Sequence, residues 1–97
     1  VTVPGGNAEA GKQAIQSWGC GSCHTIPGID GANGVVGPKL SQLSERTYIA
    51  GILPNTPENM IRWIMDPQEI QPGNAMPDTG VPAPVARDMA AYLYSIK

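Results

Sequence analysis

Ten prolines and twelve glycines cut this 97-residue chain into short windows and limit where regular structure can form. Proline lacks the N–H that a helix interior or a sheet ladder requires. The stretch from Gln68 to Pro84 holds Pro72, Pro77, Pro82 and Pro84 with Gly73 and Gly80, so it is predicted to be an irregular loop. The remaining windows read as helices. Asn7 is a good N-cap, and Gly11, Ala14, Ile15 and Trp18 recur at helical spacing, which predicts a first helix over Ala8–Trp18. Leu40 and Leu43 suggest a short helix over Ser41–Arg46. Thr56-Pro57-Glu58 is a helix start, with Thr as N-cap and Pro in the first turn, and that helix is expected to reach Met65 and stop before Pro67. A last helix over Pro84–Ile96 places Val85, Met89, Tyr92, Leu93 and Ile96 on one face. No strand pattern competes, so the class is all-α, with three main helices and short helical turns. Residues 1–6 read as a linker or frayed terminus and 7–97 as one domain.

The first helix delivers the chain to Cys20-Gly21-Ser22-Cys23-His24, which gathers both cysteines and the single histidine. A structural zinc site needs four N or S ligands, and only three good ones are present, all adjacent. A redox dithiol would open a helix after a strand, whereas this pair follows a helix. A bare disulfide would leave His24 unexplained. Haem attachment accounts for all three residues: two thiols separated by two residues can add to the two vinyl groups on one haem edge, and the next residue lies beneath the iron. His24 has no rival as proximal ligand.

The sixth coordination position decides between gas binding and outer-sphere electron transfer. Candidates are Met60, Met65, Met76 and Met89. Three of these lie in predicted helices, where methionine usually fills core. Met76 sits in Pro72-Gly73-Asn74-Ala75-Met76-Pro77, an irregular segment in which Pro77 holds it extended, so it is the expected ligand, with loop packing as the alternative. A soft thioether in an apolar site would raise the potential.

The composition fits a filled interior. Phe is absent and only five residues are Trp or Tyr, which leaves little apolar mass to offset chain entropy. A buried macrocycle would supply it, so the apoprotein is expected to be largely unfolded. Between Pro27 and Pro38, Gly28, Gly31, Gly34 and Gly37 fall every third residue; with no preceding strand this reads as a tight loop wrapping something. The net charge of −2 is spread without blocks, which gives no nucleic-acid footprint. No apolar run approaches the roughly 20 residues of a membrane span, and no signal-like start is present, so the chain reads as soluble, whether mature or excised from something larger, and as a monomer.

These motifs resemble class I c-type cytochromes from Ala8 to Lys97: the haem motif after a first helix, Gly37-Pro38-Lys39-Leu40, a Pro-Gly-x-x-Met loop, and Ala91-Tyr92-Leu93 in the last helix. The resemblance implies a small cytochrome c fold wrapped around one covalent haem c. It also implies that the Pro38 carbonyl accepts the His24 N–H, that Trp63 lines the distal pocket, and that Asn74 lies near a propionate. Arg46 and Tyr48 could serve propionates or act as ordinary surface residues. Val35 to Pro77, with Leu53-Pro54-Asn55-Thr56-Pro57-Glu58-Asn59 and Trp63-Ile64-x-x-Pro67-Gln68, is similar to the haem c domain at the C-terminus of subunit II of certain bacterial cytochrome c oxidases. Two departures are a stretch at Ala50-Gly51-Ile52 that is one residue short and Gln71 where Lys is common. The copper-binding part and membrane helices of subunit II are absent from this sequence.

The implied function is single-electron transfer in the domain by which electrons enter a respiratory oxidase, not catalysis by the domain itself. A quinol-oxidising complex or another cytochrome would be the donor and the oxidase copper centre the acceptor. A free periplasmic carrier is the alternative, and a haem peroxidase or gas sensor a second. Haem attachment of this kind implies the periplasm or the outer face of the membrane. Lys12, Lys39 and Lys97 with three scattered arginines form no lysine ring, so partner recognition is expected to rest on apolar contact around the haem edge.

Overall fold

In the computed structural model, which describes residues 3–22, 24–35, 37, 39–74 and 76–96, α1 (Ala8–Ser17) crosses α4 (Ala83–Ser95). Asn7 starts α1 as the sequence suggests: its side chain accepts from the Ala10 N–H, and its own N–H donates to Asp88 Oδ1 of α4 at 2.9 Å. The crossing is tightest at Gly11, where a Cβ would overlap the Asp88 carbonyl. Val3, within the stretch read as a linker, is buried, and its carbonyl accepts from Gly6.

α2 (Pro57–Met65) has the bounds its sequence predicts, with Thr56 Oγ1 accepting from the Asn59 N–H at 3.2 Å. Three expectations are corrected. The helix over Ser41–Arg46 is only a 3-10 turn, Leu43–Glu45, that ends against extended Arg46. A short helix, α3 (Pro67–Ile70), stands where an irregular loop was expected, because a proline in the first helical turn forgoes an N–H that has no partner there anyway. Two strands also form: β1 (Tyr48–Ile49) pairs antiparallel with β2 (Leu53–Pro54), and Ala50 and Gly51 turn between them with φ of 52° and 76°. At two residues each they are too short for alternation to register. The fold remains mostly helical. Among the described residues no helix is long and apolar enough to cross a membrane.

Asn55 ties these pieces together. Its Nδ2 donates to the carbonyls of Leu43 and Arg46 at 2.7 and 2.8 Å, and its Oδ1 accepts from the Tyr94 hydroxyl of α4 at 2.5 Å. Burial, and secondarily the Glu58 charge, pushes the Tyr94 hydroxyl up from 10.0 to about 12. The folded state therefore holds this phenol neutral more strongly than the unfolded chain does, and the stabilisation is complete below pH 10. Stability is expected to fall between pH 10 and about 12, and the Tyr94→Phe variant is expected to lose that step in melting temperatures measured across the range.

Candidate haem-binding site

Between α1, α2, α4 and the loops lies an apolar cavity of about 490 Å³. Much of its wall is the hydrophobic core itself: Ile15, Ile26, Leu43, Met60, Met89 and Leu93 are all buried residues that face it. At about 24 cal/mol per Å³, leaving such a space empty would cost on the order of 12 kcal/mol. That rivals the whole stability of a small domain, about 5–15 kcal/mol. The core is thus a shell shaped for a large apolar occupant, which a haem macrocycle fits.

Seven residues expected from the sequence line this one cavity: Cys20, His24, Arg46, Tyr48, Trp63, Asn74 and Met76. Cys23 and Pro38 lie outside the described residues. Cys20 opens a 3-10 turn (Cys20–Ser22) directly after α1, and its carbonyl accepts the His24 N–H at 3.2 Å, which holds the thiol and the imidazole on one face of a single turn. His24 is fixed further by the Gly34 N–H on its carbonyl and by the Thr25–Asn33 bridge that follows.

The glycines of the loop after His24 have separate causes. Gly28 and Gly31 adopt positive φ, and Gly28 also leaves room for the Tyr92 hydroxyl, which donates to the Pro27 carbonyl at 2.7 Å. Gly37 instead lies flat against the imidazole: a Cβ there would come within 2.7 Å of His24 Nδ1 and 3.0 Å of Nε2. The threefold spacing marked these residues, but not which of them touches the histidine ring.

Met76 approaches the cavity from the loop between α3 and α4, more than 50 residues from His24 in sequence. The far side of that loop is tied to α2, with Thr79 Oγ1 donating to the Ile64 carbonyl at 2.7 Å. Asn74 Nδ2 donates to the carbonyls of Pro67 and Gln71, so its amide serves its own loop. Arg46 Nη2 similarly donates to the carbonyls of Lys39 and Ser41, at 3.1 and 3.3 Å. Trp63 is half-buried, and Tyr48 is 56% exposed at the cavity margin. Gly37, Asn55 and Gln68 entered the sequence reading only as members of motifs; their roles here rest on contacts that the motifs do not name.

Residues 8–97 match the family described as Cytochrome c. Cytochrome c oxidase subunit 2 of Alkalihalophilus pseudofirmus is 39% identical over 93% of this chain, and that of Bacillus subtilis is 35% identical over 74% of it. The chain spans only 26% and 21% of those proteins. Cytochrome c of Tetrahymena pyriformis is 35% identical, with 99% of this chain and 94% of that protein covered. In fold, cytochrome c2 of Rhodobacter sphaeroides superposes with a TM-score of 0.65 at 22% identity, over 94% of this chain and 96% of that one. With the family pattern running through almost the whole sequence and a macrocycle-sized cavity behind its cysteine-histidine turn, the chain belongs to the cytochrome c family, whose cofactor is haem c and whose work is electron transfer.

Proposed function

We propose that this chain is the domain through which electrons enter a respiratory cytochrome c oxidase, as part of subunit II, and that His24 and Met76 are its two axial ligands. The observation that carries the ligand assignment is that these two side chains, from elements far apart in sequence, face one apolar cavity beside Cys20. Haem c supplies a one-electron couple at its iron. Cys20 and Cys23 would anchor the macrocycle by thioether bonds, Gly37 leaves room for the imidazole, and the family resemblance assigns the Pro38 carbonyl as acceptor of the imidazole N–H. Trp63 and the buried aliphatic wall keep water from the centre, which disfavours the more highly charged oxidised form and raises the potential. Arg46 and Tyr48, exposed on the cavity lining, could serve propionates or act as ordinary surface residues. With both axial positions taken, small gases have no open site, which disfavours a peroxidase or sensor.

The oxidase assignment is supported by the subunit 2 relatives, of which that of Alkalihalophilus pseudofirmus matches 93% of this chain as one part of a larger protein. Trp18 at 46% exposure and Tyr48 at 56% make the cavity margin apolar, which suits docking by apolar contact. The domain then faces the periplasm or the outer side of the membrane, where haem c is attached, and receives electrons from a quinol-oxidising complex or another cytochrome. A free carrier is favoured by one observation, the end-to-end match with the Tetrahymena protein.

Rapid mixing of the reduced holoprotein with the copper-binding portion of an oxidase subunit II separates the two readings. Fast oxidation with weak dependence on added salt is expected. Slow transfer to copper alongside fast exchange with a soluble cytochrome would favour the carrier, and a steep salt dependence would contradict apolar docking.

A further inference from the structure

We propose that Gln68 is the positioning residue for Met76, a clamp on α3 that holds the ligand loop against the cavity; this rests on the reading of Met76 as an axial ligand. Gln68 Nε2 donates to the carbonyls of Asn74 and Met76, each at 2.7 Å, and its Oε1 accepts from the Gly73 N–H at 2.9 Å. Both amide hydrogens and the amide oxygen are therefore engaged on one short loop. Asn74 completes the hold, its Oδ1 accepting the Met76 N–H at 2.7 Å. Met76 thus has its N–H and its carbonyl fixed by two side chains, and only its side-chain torsions remain to be set.

The loop needs this support for a reason visible in its composition. Pro72 and Pro77 remove two donors and prevent a helical or ladder pattern, so side chains satisfy the Gly73 and Met76 N–H groups and the Asn74 and Met76 carbonyls. The clamp has a firm base. Pro67, beside it in α3, is among the most buried side chains of the protein, and the Gln68 N–H is itself held by Asp78 Oδ1 at 3.0 Å. Glutamine suits the position because one planar group both donates and accepts; glutamate cannot donate, and leucine can do neither.

Imidazole, which competes with methionine for ferric haem iron, reads how readily the loop lets go. Loss of two or three hydrogen bonds from the closed loop predicts that ferric Gln68→Leu holoprotein binds imidazole about tenfold or more tightly than wild type. The near-isosteric Gln68→Glu, which preserves side-chain shape should the leucine variant fail to fold, is expected to tighten binding in the same direction. Tyr94→Phe, which weakens the fold away from the loop, is expected to leave imidazole affinity unchanged. Wild-type affinity in both Gln68 variants, or equal tightening in Tyr94→Phe, would overturn the clamp while leaving Met76 as ligand. Equal affinity of wild type and Met76→Ala would overturn the ligand assignment and the clamp with it.

Discussion

Prepared without haem, the chain is expected to show little helix by far-ultraviolet circular dichroism and no cooperative melt, whereas the holoprotein melts in one step. The residues that would form the core of an ordinary small helical domain here surround the cavity instead: Ile15 of α1, Met60 and Ile64 of α2, and Met89 and Leu93 of α4 all face it. Helix α1 packs closely along α4, whereas α2 meets α4 over a smaller area and shares the cavity lining with it. Collapse onto an empty centre would either leave a void or misplace the helices, and a chain with no Phe has no spare aromatic mass to fill it. Replacing Cys20 and Cys23 with serine, which removes covalent attachment, is expected to produce the same unfolded chain when haem is withheld. A cooperative melt of haem-free protein close to that of the holoprotein would contradict this account.

Replacing Gly11 with alanine is expected to destabilise the holoprotein by about 3 kcal/mol or more. For a domain of this size that lowers the melting temperature by roughly 12–24 °C. The sign discriminates between two effects. On an exposed helix face Gly→Ala stabilises by about 1 kcal/mol through propensity alone. At Gly11 the added Cβ would land on the backbone carbonyl of Asp88, which cannot swing aside as a side chain could, so α1 and α4 must separate. Separation also breaks the hydrogen bond from Asn7 N–H to Asp88 Oδ1 and shifts Ile15 and Trp18, which lead into the Cys20 turn. A melting temperature unchanged or raised in Gly11→Ala would show that the helices do not meet there.

What the sequence revealed of this protein follows from the range of the interactions involved. Local signals carried the helices: Asn7 and Thr56 cap where they were expected to, and α2 ends where Pro67 forces it to end. The haem turn was legible because its chemistry is contiguous, three reactive side chains within five residues. Met76 stood out for a local reason as well, since Pro77 and the neighbouring glycine exclude the usual structural role of a methionine. The two-residue strands and α3 escaped because each spans only about one period of the pattern by which it would be recognised. The roles of Gly37, Asn55 and Gln68 escaped for a different reason. Nothing in the residues beside Gly37 says that an imidazole will lie on it, and nothing near Asn55 says that Tyr94, 39 positions later, will donate to it. Gln68 reads as one more polar residue before a proline-rich loop until the fold turns that loop back over it.

The central claim, that His24 and Met76 enclose one haem iron in an apolar shell, is tested most directly by proton NMR of the ferrous holoprotein. A methionine methyl held over the macrocycle lies in its ring current, so one three-proton resonance is expected far upfield of the ordinary methyl range. That signal is expected to vanish in Met76→Ala and to persist in Met60→Ala, Met65→Ala and Met89→Ala. Its absence from the wild type together with carbon monoxide binding at neutral pH, or its loss in one of the other three variants instead, would contradict the account.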